Sequence, residues 1–285
     1  MLDLLQHPLY GVIFLGLVGA CIGSFLNVVI LRLPVMLQNA WQRQCAELQG
    51  NQPGEAEEFN LSKPASRCPG CGTPIRAWQN IPVFSYLVLR GRCAACGNTI
   101  HWRYPAVELV TALATVHLTL HFGISWQLLG ALGLVWSLIA LTVIDIDHQL
   151  LPDSITLPLL WAGLLANLFN LFTPLESAVI GAIAGYLGFW IVYQVHYRLT
   201  GREGLGYGDF KLLAALGAWL GWEMLPMVVL LSSLAGTTIA LGLMLFRDLN
   251  RRSAVSFGPF LALGGWAALI WGDVISVNYL QLLDF

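Results

Sequence analysis

Charge is what this sequence lacks. Only 11% of its 285 residues are Asp, Glu, Lys or Arg, where a soluble domain carries about a quarter. The formal net charge is -2 and there is no broad basic patch, which excludes a nucleic-acid partner. No G-x-G-x-x-G follows a strand pattern, and no polar stretch is long enough for an ordinary nucleotide-binding βαβ domain. The first apolar run, residues 10–31, has no small-residue cleavage site behind it and is too long for a signal-peptide core, so it reads as a retained helix. What fills the chain is apolar. Hydrophobic residues make up 57% and the mean hydropathy is +0.69, the composition of a protein that crosses a lipid bilayer several times.

Hydropathy predicts about eight transmembrane helices, near 10–31, 104–122, 127–144, 155–172, 178–196, 210–221 with its continuation, 225–246 and 258–276. The segment at 210–221 is short for a span. All 14 Lys and Arg then fall into three clusters, within 32–103, between Arg198 and Lys211, and between Arg247 and Arg252. In an alternating eight-span arrangement the three clusters share one side. The positive-inside rule makes that side cytoplasmic and puts both termini on the other. The expected fold class is an all-α polytopic membrane protein with a small cytoplasmic domain in the first loop. Its expected divisions are a first helix at 1–31, a loop domain at 32–103 and a helical bundle at 104–285.

The loop domain is different material, polar and turn-rich, and it holds five of the six cysteines. "RCPGCGTPI" and "RCAACGNTI" are two copies of C-x-x-C-G-x-x-I set 25 residues apart. Four thiolates so placed match the tetrahedral preference of Zn²⁺, which makes Cys68, Cys71, Cys93 and Cys96 a structural zinc site. Two disulfides are the competing reading, disfavoured by a compartment that keeps thiols reduced. A shell of four cysteines leaves no coordination position for a reactive water, so the metal is read as structural. Cys21 reads as a packing residue within a membrane helix, and His101 as a surface residue near the membrane boundary. The acidic run with Glu55, Glu57 and Glu58 reads as a solvated turn-forming connection.

Polar groups at the inner helix ends carry the chemistry. In "LIALTVIDIDHQLLPDSITLPLL", Asp153 suits a helix cap and Asp147 a solvated position. Asp145 follows the apolar run directly, where an ionisable group is costly and is a functional hypothesis by default. Asp209, in "GLGYGDFKLL", lies at the same expected depth from another helix. Taken singly, Asp209 is a helix cap and Asp145 the end of a span. Taken together, two carboxylates at one level can converge and share a proton, the arrangement that activates water in an aspartic protease. Gly204, Gly206 and Gly208 would then admit an extended peptide to Asp209. Lys211 either tunes this centre or snorkels to the interface.

With these residues in hand, the chain resembles a known family. "GLGYGDFKLL" contains the G-x-G-D signature of membrane aspartic proteases. "IDIDHQLLPDSITLPLLWAGLL", "GSFLNVVILRLP", "NIPVFSYLVLRGRC", "RYPAVEL" and the paired C-x-x-C loop are similar to the bacterial type IV prepilin peptidases. The resemblance covers nearly the whole chain. It implies an enzyme of the bacterial inner membrane, with its zinc loop and active site cytoplasmic and its termini periplasmic. Such an enzyme cuts the basic leader from type IV prepilins and type II secretion pseudopilins, then N-methylates the new terminus with S-adenosylmethionine. Asp145 and Asp209 match the two catalytic aspartates. The methyl-donor site has no motif of its own. Asn27, Arg32, Arg103 and Glu108 are polar groups near membrane depth that would wall it, and interhelical hydrogen bonding explains them equally well. Whether the enzyme is a homo-oligomer stays open.

Two other classes of function compete. A proton-coupled transporter would also carry intramembrane aspartates, but no duplicated helix pattern is present and both aspartates lie near one face. A methyltransferase or scaffold without peptidase activity would not need both aspartates.

Overall fold

The computed structural model describes residues 8–50, 59–202, 204–246 and 256–283. Glu55, Glu57, Glu58, Arg247, Arg251 and Arg252 lie outside the described residues. The described chain is helical, and its only β features are two isolated bridges, Arg67 with Pro74 and Arg92 with Thr99. In chain order the helices are α1 (Pro8–Leu48), the short α2 (Phe84–Val88), α3 (Arg103–Phe122), α4 (Trp126–His148), α5 (Asp153–Leu168), α6 (Leu175–Thr200), α7 (Tyr207–Leu220), α8 (Leu225–Phe246) and α9 (Gly258–Leu283).

Eight of these helices fall where eight spans were expected. Five helical segments are long and apolar enough to cross a membrane, Leu9–Leu48, Arg103–Phe122, Trp126–His148, Leu175–Thr200 and Trp222–Gly242, while Asp153–Leu168 and Gly258–Gly272 are shorter apolar helices. The protein is therefore a multi-pass membrane protein, with the count of eight spans not established by helix length. The α7 helix explains part of the shortfall. Its 14 residues rise about 21 Å, short of the roughly 30 Å hydrocarbon layer. The first helix exceeds its expected end at residue 31 by running on to Leu48.

The chain forms two compact units, residues 1–124 and 125–285, whereas the sequence reading divided it at 31/32 and 103/104. In the first unit α1 packs along α3 through small residues. A Cβ added at Gly19 would lie 2.5 Å from Thr115 Oγ1, and one at Gly23 would lie 2.6 Å from the Cα of Glu108. Helices in lipid associate by such close backbone approach, because the surrounding tails are as apolar as the side chains. The buried hydroxyls of Thr111, Thr115 and Thr119 donate to the carbonyls one turn earlier at 2.7, 2.8 and 2.7 Å, so the seam carries no unsatisfied polar atom.

In the second unit α7 is the buried centre. Every residue from Leu212 to Leu220 is buried, against α5, α6, α8 and α9. Gly181 of α6 and Gly217 of α7 touch backbone to backbone, since a Cβ at either would meet the other's carbonyl oxygen at 2.4 or 2.2 Å. The C-terminal carbonyls of α7, which no helix bond reaches, are met by a neighbour. Asn167 Nδ2 donates to Ala218 O and Trp219 O at 2.8 and 3.0 Å, while its Oδ1 accepts from the amides of Phe172 and Thr173 at 3.0 and 3.1 Å. One amide side chain thus makes all four of its bonds.

Gly217→Val is expected to force α6 and α7 apart and to destabilise the protein by about 1–3 kcal/mol or more. Gly188→Ala, on a helix face with open space around it, is expected to be neutral or mildly stabilising. Thermal unfolding of the two variants in detergent checks the contrast.

Candidate active site and metal centre

Asp145 sits in the last turn of α4, and the chain leaves that helix through Gln149 in a left-handed conformation. The reversal turns Leu151 back toward the aspartates. Asp145 is 5% exposed, while Ile146, Asp147 and His148 are exposed. Of the two closely spaced aspartates, the fold therefore buries Asp145 and leaves Asp147 outside. The carboxylate of Asp145 accepts the Gly258 amide at 3.0 Å on Oδ2, and its backbone carbonyl accepts the Ser256 hydroxyl at 2.8 Å. Gly258 opens α9, so a helix N-terminus points its free N–H at this carboxylate.

Asp209 is 8% exposed and lies in the first turn of α7. Its Oδ2 accepts the Gly206 amide at 3.2 Å, and its own amide donates to Gly206 O at 3.1 Å. The capping role suggested by sequence is thus real, and it occupies only one carboxylate oxygen. Leu151 packs between Gly208, the neighbour of Asp209, and Gly258, the partner of Asp145. A Cβ at Gly208 would lie 2.7 Å from Leu151 Cβ, and one at Gly258 would lie 2.6 Å from Asp145 Oδ2 and 3.2 Å from Leu151 Cδ2. The two carboxylates lie within electrostatic reach of each other. Tyr193 of α6 packs at a tilt against Tyr207 and Phe210, with ring centroids 5.3 and 5.7 Å away, which fixes the entry of α7 against α6.

Several expectations need correction. Gly204 and Gly208 do not hold open a path for a peptide. The first makes room for the His196 ring, 2.8 Å from a would-be Cβ, and the second for Leu151. Gly206 alone of the three leaves space, with Asp209 Oδ2 at 3.4 Å and the Gly208 amide nitrogen at 4.0 Å as its nearest atoms. Asp153 is not a cap, because Pro152 holds the N-cap position. Instead Asp153 pairs with Lys211, whose Nζ lies 2.7 Å from each carboxylate oxygen. Lys211 therefore ties α7 to the start of α5. Cys21 lies exposed on α1 and is not in a packed seam. Ser256, Gly258 and Leu151 were not singled out by sequence. The Gly-Pro pair in "SFGPFLALGG", opening an apolar helix, was the available signal.

In the loop, the paired knuckles fold alike. The amides of Cys68 and Cys93 donate to Thr73 O and Asn98 O at 2.9 and 2.8 Å, and those of Gly72 and Gly97 return to Cys68 O and Cys93 O at 2.8 and 2.9 Å. Gly72 and Gly97 have φ of +70° and +71°, which only glycine adopts freely. The four sulfurs lie within 4.8 Å of one another, with Cys68 and Cys96 3.9 Å apart. Thiolates held about 2.3 Å from one tetrahedral ion would stand about 3.8 Å apart, so this group can hold a metal ion. Among the described residues all the cysteines are free thiols. Bonds from the Thr73 hydroxyl and backbone pull Cys71 down to about 6, while Cys96, despite the Asn98 backbone bond that favours its thiolate, is pushed up to about 11 chiefly by Cys71. A divalent cation removes that conflict.

Two of the residues expected to line a methyl-donor site have structural partners. Arg32 donates to Asn60 O and Pro64 O at 3.0 and 2.7 Å with its guanidinium over Phe59, and Asn27 Nδ2 donates to Tyr104 O at 3.0 Å.

Known proteins are similar to this sequence. Residues 17–122 match the bacterial Peptidase A24 N-terminal domain, and residues 132–241 match the type IV leader peptidase family. A prepilin leader peptidase/N-methyltransferase of Stutzerimonas stutzeri is 50% identical over 281 residues, covering 98% of this chain and 96% of the relative. The protein of that name from Pseudomonas aeruginosa is 49% identical, covering 100% and 99%. Its namesake in Aeromonas hydrophila is 54% identical, covering 91% and 90%. No solved structure matches the chain.

The Lys211 and Asp153 side chains are 26% and 56% exposed, so solvent screens their attraction and the pair is worth less than about 1 kcal/mol. Asp153→Asn is expected to lower stability by no more than that, measured by unfolding in detergent. A loss of several kcal/mol would mean the pair is sealed from water.

Proposed function

The chain belongs to the type IV leader peptidase family, and from that premise we propose that Asp145 and Asp209 cleave the basic leader of type IV prepilins and type II secretion pseudopilins. The enzyme then N-methylates the new N-terminal residue with S-adenosylmethionine. The observation that carries the peptidase reading is the meeting of two nearly buried carboxylates from separate helices, each with Oδ2 bonded to a glycine amide. The amides hold the two groups in place and leave the other oxygen of each for chemistry.

Two carboxylates within electrostatic reach share one proton, because ionising both costs their mutual repulsion. The charged member takes a proton from water as the oxygen attacks the scissile carbonyl. The protonated member stabilises the resulting oxyanion and delivers its proton to the departing amine. The pair acts as a unit, so base and acid are roles of the dyad and not of one residue. The space beside Gly206 is the side from which a peptide backbone reaches Asp209. The confinement of Lys and Arg to one side of the expected spans supports a site on the cytoplasmic side of the inner membrane, where a leader would still be basic and unprocessed.

S-adenosylmethionine would supply an electrophilic methyl to the freed amine, leaving as a neutral thioether while the amine gives up one proton. We assign zinc to the four cysteines as the ion that best fits an all-thiolate tetrahedron in a non-redox role. It fixes the two knuckles and takes no part in hydrolysis.

Incubating purified protein with a prepilin and reading product masses tests the dyad. Asp145→Asn and Asp209→Asn are each expected to lose at least about 10²–10⁴-fold in cleavage, while Asp147→Asn keeps it. Full cleavage by either of the first two variants would sink the assignment. Metal analysis of the reduced protein is expected to find one zinc per chain, and Cys68→Ser is expected to lose it. A metal-free wild type would remove the zinc assignment and leave the dyad standing.

A further inference from the structure

One stretch of the loop between α1 and α3, residues 81–89, has a depth and an outward face that do not suit a surface in water. Its depth is read from Val83. The Val83 amide donates to Glu108 Oε2 at 2.7 Å, and Glu108 lies five residues into α3, about 7.5 Å along the axis. The 20 residues of α3 rise about 30 Å, the full thickness of the hydrocarbon layer. A crossing helix of that length has no turn to spare outside. A second ruler agrees. A Cβ at Gly23 of α1 would lie 2.6 Å from the Cα of Glu108. Gly23 precedes the expected end of the first span, residue 31, by eight positions, or about 12 Å. Both helices put Glu108, and the amide it holds, roughly 7–12 Å below the membrane surface.

From that depth α2 turns its apolar side outward. Phe84, Leu87 and Val88 share one helix face by their spacing and are 61%, 67% and 56% exposed, while Ser85 on the other side is 9% exposed. In water this is an inverted helix, and in lipid it is the ordinary arrangement. Trp78 and Ile81, just before α2, are exposed as well, and so is Trp102 at the entrance to α3. Tryptophan favours that interface. Arg76, Arg90 and Arg92 flank the stretch and are exposed, and among the described residues none of the three forms an ion pair. Guanidiniums so placed suit lipid headgroups, which they reach by extending along the apolar surface.

Hydrocarbon admits backbone only where the protein itself meets the polar groups. This stretch satisfies that condition. The amides of Ser85, Leu87 and Leu89 bond to carbonyls four residues back at 3.1, 3.1 and 2.9 Å, and those of Arg90 and Gly91 close the end on Leu87 O and Tyr86 O. Val83, at φ +58°, sends its amide to Glu108 instead. We propose that residues 81–89 form a re-entrant segment that dips into the bilayer from the side that carries the loop. Phe84, Leu87 and Val88 pack on lipid acyl chains, and Glu108 is the acceptor that meets the Val83 amide at that depth. The loop domain is then held to the membrane at a third point besides α1 and α3.

The test uses the full-length protein in nanodiscs of phosphatidylethanolamine and phosphatidylglycerol, with a benzophenone amino acid placed at one position at a time. Irradiation followed by mass spectrometry reads what each probe touches. At Leu87 the probe is expected to give lipid adducts in a yield comparable to that at Leu113, an exposed residue midway along α3. At Gln44, about 18 Å along α1 beyond Arg32, it is expected to give none. Leu87→Glu is expected to lower the lipid adducts of a probe at Phe84 roughly tenfold, in protein whose elution and thermal unfolding match the wild type. If that variant fails to fold, the comparison of Leu87, Leu113 and Gln44 decides. A Leu87 probe that gives no lipid adduct overturns the proposal, as do lipid adducts at Gln44 as abundant as those at Leu87. Adducts at Leu87 only with added prepilin, or only with a second copy of the chain, overturn it too and make the face a protein-docking surface.

Discussion

A carboxylate below the membrane surface persists only where polar groups of the protein replace the water it has lost. The second unit takes two carboxylates out of water, Asp145 and Asp209, and much of its local architecture follows from meeting that demand. Each carboxylate takes one N–H from a glycine at the start of a helix, Gly258 for Asp145 and Gly206 for Asp209. A glycine is needed at 258 for a second reason, since any Cβ would collide with Asp145 Oδ2. The short α7 could not carry Asp209 into the bundle alone. It is enclosed by neighbours along its length, pressed backbone to backbone against α6 at Gly217, and stopped by Asn167 at its far end. Burial of α7 and support of the aspartates are one design.

The first unit solves a different problem. A polar loop with little apolar material cannot build a large core of its own. Its two knuckles each repeat the same turn, closed by the same amide-to-carbonyl pair and a glycine at positive φ. The repeat brings four sulfurs to one place, where together they can hold a metal ion. Arg32 then hooks the loop back to α1 through the carbonyls of Asn60 and Pro64.

What sequence could reveal follows the distance over which each contact acts. The knuckles were legible because their bonds run between residues four or five apart. Helix positions were legible from hydropathy, although α7 is too short and too sealed to be judged as an independent span. Asp145 and Asp209 were legible as a pair, because charge placement gave both one depth before any contact was known. Their supports were mostly hidden. Gly258 is 113 residues from Asp145, and Asp153 is 58 residues from Lys211, and neither separation leaves a periodic trace. The glycines before Asp209 misled for a related reason. A glycine that admits a ligand and one that admits a packed side chain look alike in sequence, and only the neighbours His196 and Leu151 distinguish them.

The two aspartates also differ in how their support arises. Asp209 is held by an amide three residues back, so forming the first turn of α7 is enough to secure it. Asp145 is held by Ser256 and Gly258, across more than a hundred residues of chain. Its carboxylate is secured only when the start of α9 docks against the end of α4. The site is therefore half local and half tertiary. A chain with α7 in place but α9 undocked would hold one supported carboxylate and one without its amide, and the proposed shared-proton chemistry needs both. Completion of the proposed dyad is thereby tied to completion of the bundle.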